Sequence, residues 1–151
     1  MKPDTLEISV AMQIQKPINE VFQAIINPEK MSNYFISKST GTMEEGKLLV
    51  WNFPEFDFDC PIRVGKIEKN SYISYYWSMD DIELLVEMTL TTTENNTTLV
   101  SITEKSRNND EKGIKWLSGN SFGWSNFLAC LKAYLEYDIN LRKGAFDFMR
   151  K

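Results

Sequence analysis

The sequence contains no histidine. This removes the side chain that titrates nearest neutrality. His-based acid/base catalysis, Ser-His-Asp and Cys-His nucleophile systems, and His-ligated zinc, haem or non-haem iron are all excluded with it. Cysteine is nearly absent too: Cys60 and Cys130 stand far apart and form no C-x-x-C, so neither a thioredoxin-type redox pair nor a Cys-rich zinc site fits. Basic charge is in deficit, with 17 Lys and Arg against 21 Asp and Glu and a net charge of −4; a nucleic-acid binder usually shows the opposite balance. No apolar run is long enough to span a bilayer. Met1–Lys16 carries charges through an alternating pattern in place of the apolar stretch of a signal peptide. These absences predict a cytoplasmic protein with both thiols reduced, no metal, no cofactor, no membrane span and no nucleic-acid partner. In that setting the overlapping Asn-x-Thr sequons at Asn95 and Asn96 mark only a polar turn. There is no repeat, low-complexity stretch or linker, so the 151 residues predict one domain over 1–151, with 145–151 as a tail.

What the chain does have is aromatic residues, at 13% of the total: nine Phe, six Tyr and four Trp. It also has clean periodicity. Leu6, Ile8, Val10, Met12 and Ile14 alternate with polar or small residues as one face of a half-buried strand. Pro17 suits the first position of a helix carrying Val21, Phe22 and Ile25, and Asn27-Pro28 stops it and caps a second, short helix reaching to about Tyr34. From Ser37 to about Ser106 the pattern is strand and turn. Strands are expected over Lys47–Phe53, from Phe56 through Val64, over Tyr72–Ser78, over Ile82–Thr93 and over Thr97–Lys105, the last two joined by an Asn95-Asn96 hairpin. Connections this short demand antiparallel pairing. Asp110 and the asparagines before it offer caps for a long helix to about Lys143, with Gly144 as its stop. Gly113, Gly119 and Gly123 make the first third of that helix intrinsically weak. The predicted architecture is α+β: one strand, two short helices, a curved antiparallel sheet of about six or seven strands in all, and a long C-terminal helix laid across it. The space between helix and sheet is the natural cavity.

Three blocks then resemble a known superfamily. "KPINEVFQAIINPEKMSNYF" is similar to the opening helices of START-like, helix-grip proteins, and within them to bacterial homologues of the activator of the heat-shock-protein-90 ATPase. The matching residues are Pro17, Val21-Phe22, Ala24, Asn27-Pro28-Glu29-Lys30 and Tyr34. "VGKIEKNSYISYYW", from Val64 to Trp77, resembles the family's central strand pair, and "GWSNFLACLKAYLE", from Gly123 to Glu136, its C-terminal helix. The blocks occur in the family's order between Leu6 and Leu141. The sequence departs where the family often has Trp (Tyr34), a His near the end of the last strand (Glu104) and a doubled Gly (Glu45-Gly46). The resemblance implies the helix-grip fold. It leaves the function open, because such proteins bind lipids, hormones or polyketides, act as cyclases, or assist chaperones.

The candidate cavity residues are Trp51, Tyr75, Trp77, Met88, Val100, Glu104, Trp116, Asn120, Trp124 and Leu128. Met88, Val100 and Leu128 share the inward faces of strands and helix, and the large rings either wall a space or fill it as core. The inward face of strand 47–53 stays open between Trp51/Phe53 and Leu48/Val50. Glu104 shares parity with inward-facing Val100 and Ile102 and would enter the cavity, unless the strand end frays and leaves it in water, the commoner fate of such ends. Inside, it is expected to anchor a ligand rather than to catalyse. Asn120 and Ser121 are either polar anchors or caps of a late-starting helix. Asp57 and Asp59 are expected on the solvated face of an outer strand, with Arg63 beside them. No catalytic constellation is visible. The leading expectation is a protein that binds a small hydrophobic or amphipathic molecule, as a monomer or homodimer. The alternatives are a module acting on a chaperone and an enzyme of cyclase or dehydratase type.

Overall fold

The computed structural model describes residues 3–150. The first strand, β1 (Thr5–Ile14), keeps its alternation, with Ile8 and Ile14 buried. Pro17 lies in extended backbone just before α1 (Ile18–Ile26), one position earlier than its ring geometry suggested. Asn27 ends α1 and caps α2 (Pro28–Met31), its side chain accepting from the Glu29 N–H at 3.0 Å. The second helix stops three residues before Tyr34, which turns inward and donates its hydroxyl to the Ala24 carbonyl at 2.8 Å.

Six further strands follow: β2 (Lys38–Ser39), β3 (Leu48–Asn52), β4 (Cys60–Glu68), β5 (Tyr72–Met79), β6 (Ile82–Thr93) and β7 (Thr97–Asn108). With β1 they make one antiparallel sheet in the order β1-β7-β6-β5-β4-β3-β2. The tight turns rest on residues that tolerate left-handed backbone: Asn70, Asp80, Asp81, Asn95 and Asn96 all have positive φ. In β3 the open register resolves with Leu49 and Trp51 inward and Leu48 exposed.

The last helix, α3, spans Glu111–Tyr137 without a break, and Asp110 caps it by accepting from the Gly113 N–H at 2.8 Å. Its glycines do not delay its start, so Asn120 and Ser121 are mid-helix residues and not caps. It ends six residues before the expected Lys143. Asp138 adopts left-handed backbone, and its N–H and that of Ile139 return to carbonyls of the last turn. Gly144 keeps a positive φ, in a turn of the tail.

Two further expectations are corrected. Residues 53–59 form a loop, not the start of a strand. The edge strand β3 has already ended, and the Asn52 side chain donates to the Phe58 carbonyl and to Asp59, holding the segment away from the ladder. Asp57 and Asp59 are therefore loop residues, and Arg63 pairs instead with Glu83 at 2.7 Å. The core lies between the concave sheet face and α3, where Trp116, Trp124, Phe127, Leu128 and Leu131 are buried.

Candidate functional site: an aromatic cavity over a buried carboxylate

The site begins with an irregularity in β7. Leu6 faces Arg107 while Glu7 faces Lys105, so Ser106 is left out of the pairing as a bulge. The bulge restores inward parity to Arg107 without removing it from Glu104, and both side chains face the helix side. Arg107 pairs with Asp80 at 3.0 Å. Glu104 is 0% exposed. The strand end is therefore neither frayed nor solvated at Glu104.

A buried carboxylate must be satisfied, and here neutral N–H donors do it. The Trp124 indole donates to Oε1 at 2.7 Å, Trp77 to Oε2 at 3.1 Å, and Trp116 to Oε2 at 3.4 Å. The Asn120 amide nitrogen lies 3.1 Å from Oε1 and 3.3 Å from Oε2. Three tryptophans from β5 and α3 are thus held by one carboxylate on β7. Among the described residues, no Lys or Arg forms an ion pair with it.

In front of this cluster lies a cavity of about 270 Å³. Trp77 and Ser78 line it from β5, Asn120, Gly123 and Trp124 from α3, Phe35 from the segment after α2, and Cys60 from the start of β4. The loop over its mouth supplies Phe53, Phe56 and Phe58, and the tail supplies Arg142. Arg142 also fixes the mouth. It forks onto the buried Glu55 with contacts of 2.7 and 3.3 Å, and its guanidinium lies over the rings of Phe53 and Phe146.

Of the residues proposed from sequence, Trp77, Asn120 and Trp124 line this cavity. Glu104 and Trp116 stand directly behind it. Trp51, Tyr75, Met88, Val100 and Leu128 are at most 2% exposed and fill the core beneath it. The wall expected from Met88, Val100 and Leu128 is thus solid packing, because Phe127, Leu131 and the strand side chains close that end of the groove. Sequence reasoning missed Phe35, Phe56, Phe58, Cys60, Ser78, Gly123 and Arg142 as lining residues. The Phe56–Phe58 alternation has the period of a strand, and the helix expected to reach Lys143 takes in Arg142. The one available signal was the density of Phe around Pro54, more than a surface turn needs.

Burial sets the chemistry of the nearby protic groups. It pushes the Cys60 thiol up to about 11. It pushes the Tyr75 hydroxyl well above its ordinary value, with the Glu104 charge adding to the effect. Such groups are poor nucleophiles or acids near neutrality. Among the described residues three buried donors, the Trp51 indole N–H, the Tyr75 hydroxyl and the Asn126 amide N–H, have no partner. No cluster of three metal-ligating side chains occurs among the described residues, and no helix there is long and apolar enough to cross a membrane.

A curved antiparallel sheet wrapped on one long helix, with paired short helices after the first strand, defines the helix-grip, START-like class. The chain belongs to the family described as activator of Hsp90 ATPase homolog 1-like protein, whose pattern matches residues 15–136. Among solved structures it is similar to the protein SSP2350 from Staphylococcus saprophyticus, with 30% identity, a TM-score of 0.77, and coverage of 89% of this chain and 94% of that one. The Aha1 dimer from Colwellia psychrerythraea shares the fold at 18% identity, with a TM-score of 0.73 over 87% of this chain and 97% of that one. So does CalU16 from Micromonospora echinospora at 17% identity, with a TM-score of 0.68 over 95% of this chain and 83% of that one. No curated protein matches the chain.

Proposed function

We propose that this protein binds a small hydrophobic or amphipathic molecule in the cavity between α3, the sheet and the loop 53–59. One observation carries the reading. About 270 Å³ of space lies behind a mouth lined by Phe53, Phe56 and Phe58, although the surrounding chain has enough large aromatic residues to have closed it. The site offers rings for contact and few polar groups for orientation, and no activated nucleophile or acid/base pair. That favours binding over turnover. Two free cysteines fit a reducing, cytoplasmic setting. The test is titration with N-phenyl-1-naphthylamine, a neutral apolar fluorophore. Saturable enhancement at one site per chain supports the reading, and its absence refutes it.

Family membership favours a second reading, action on an Hsp90-type chaperone. Stimulation of such a chaperone's ATPase by the purified protein, undiminished when the cavity is filled by mutation, would select it over ligand binding.

A further inference from the structure

Ser78, Asn120 and Arg142 are the polar groups of the cavity wall besides the Cys60 thiol and the indoles, and Glu104 sets the orientation of Asn120. Every group around this carboxylate is a donor, so the Asn120 amide can meet it only through Nδ2. Its Oδ1 accepts no hydrogen bond among the described residues, while Asn120 lines the cavity. The carboxylate thereby fixes the amide with its acceptor as the free polar atom. The one cation on the wall, Arg142, is already neutralised by Glu55. Glu104 has only neutral hydrogen-bond partners and no ion pair among the described residues, so this carboxylate lies behind the rings without a paired cation. Both features act on the ligand in the same sense: an acceptor is displayed, and negative charge is disfavoured.

Resting on the reading of this cavity as a ligand site, we infer that it selects a neutral or cationic aromatic molecule bearing an O–H or N–H donor, and that Glu104 is the positioning residue that sets this preference through Asn120. Anionic amphiphiles such as fatty carboxylates are rejected. Carbonyl or ether compounds of the same shape bind less well, because they would set an acceptor against an acceptor and leave it unpaired.

Three naphthalenes of nearly equal size test this near neutral pH: 2-naphthol, 2-methoxynaphthalene and 2-naphthoate, each displacing N-phenyl-1-naphthylamine. The naphthol binds about fivefold tighter than the ether, the ratio of a typical single hydrogen bond, and the naphthoate binds weakest. In Glu104→Gln the indole donors of both former carboxylate oxygens compete for a single oxygen, so Nε2 faces an indole whichever way the new amide turns. Asn120, within reach of both positions, can then accept from Nε2 through Oδ1 and turn Nδ2 to the cavity, and the naphthol loses its advantage over the ether. A role confined to stability would lower all affinities together and leave the order unchanged. Should Glu104→Gln fail to fold, Asn120→Ala decides at a half-exposed position: it abolishes the naphthol advantage and leaves ether binding intact. Equal affinity for naphthol and ether in the unmodified protein, tight naphthoate binding, or an unchanged order in both variants overturns the inference while the cavity reading stands. Failure of every naphthalene and of the fluorophore to bind overturns both.

Discussion

Replacing Gly123 with leucine separates binding from folding in a single variant. A Cβ added at Gly123 meets nothing within 4 Å, and this glycine lies on the cavity wall in the middle of α3. Glycine in a helix interior costs about 0.8–1.0 kcal/mol relative to alanine, and leucine recovers most of that. The variant is therefore more stable by about 0.5–1 kcal/mol, which for a domain of this size is about 1–4 °C in Tm. The leucine side chain adds four carbons at the wall of a cavity of only about 270 Å³. N-Phenyl-1-naphthylamine binding should fall at least tenfold. Gly119 supplies the control: it too has open space around it and lies on α3, but it does not line the cavity. Gly119→Ala should show a similar gain in Tm with unchanged binding. The assays are differential scanning calorimetry and fluorescence titration on the same samples. If Gly123→Leu binds the fluorophore as tightly as the parent, the ligand does not sit against α3. If it loses stability, the space at 123 is not open and the geometry of the mouth is wrong.

Three further outcomes follow from the same geometry. Gly113→Ala should destabilise by about 1–3 kcal/mol, as overpacking does, because its Cβ would run into the Asn108 carbonyl oxygen, a backbone atom that cannot swing away; urea denaturation measures it, and a neutral result would refute the close approach of α3 to the end of β7. Glu104→Leu should cost about 2–6 kcal/mol, since the buried Trp116 and Trp124 indoles each lose an acceptor at about 1–3 kcal/mol; an equally stable variant, with unshifted tryptophan emission, would show that the indole cluster is not held by the carboxylate. The Cys60 thiol, held up to about 11, should react with iodoacetamide at a rate that climbs about tenfold per pH unit through pH 8–10. A plateau near the ordinary thiol value would contradict its burial, and prior filling of the cavity should slow the reaction.

How far the sequence could be read depended on the range of the interaction concerned. Period-two alternation in β1 and β6, the Asn27-Pro28 junction and the Asn95-Asn96 hairpin are each decided by a few neighbouring residues; the first two appear as the pattern dictates, and the hairpin forms with a three-residue turn, Glu94–Asn96, in place of a two-residue one. The fold class followed, because short connections leave the strands no choice but antiparallel pairing and the long apolar stripe of α3 no other surface to cover. The candidate site was only partly legible. Trp77 and Trp124 were among the rings expected to wall or fill the space, and Asn120 was a candidate as polar anchor or cap. Phe56, Phe58 and Arg142 were not candidates, because their positions depend on a loop leaving the sheet and a helix stopping early.

Gly113, Gly119 and Gly123 show the division most directly. In sequence they are one kind of residue with one effect, a weak first third of the expected helix. In the structure the first is required by a carbonyl of β7, the second stands against solvent, and the third opens the cavity wall. Glu104 divides in the same way. Its inward parity was set by alternation along β7, a local property. Whether it would be water-covered or buried was decided only when β5 and α3 brought three indoles and an amide around it. A carboxylate stays buried only where enough donors converge, and these donors lie between 12 and 27 residues away along the chain. Sequence thus determined the elements and their order. Tertiary packing decided where space was left and which polar groups face it, because both depend on contacts between residues that no local pattern links.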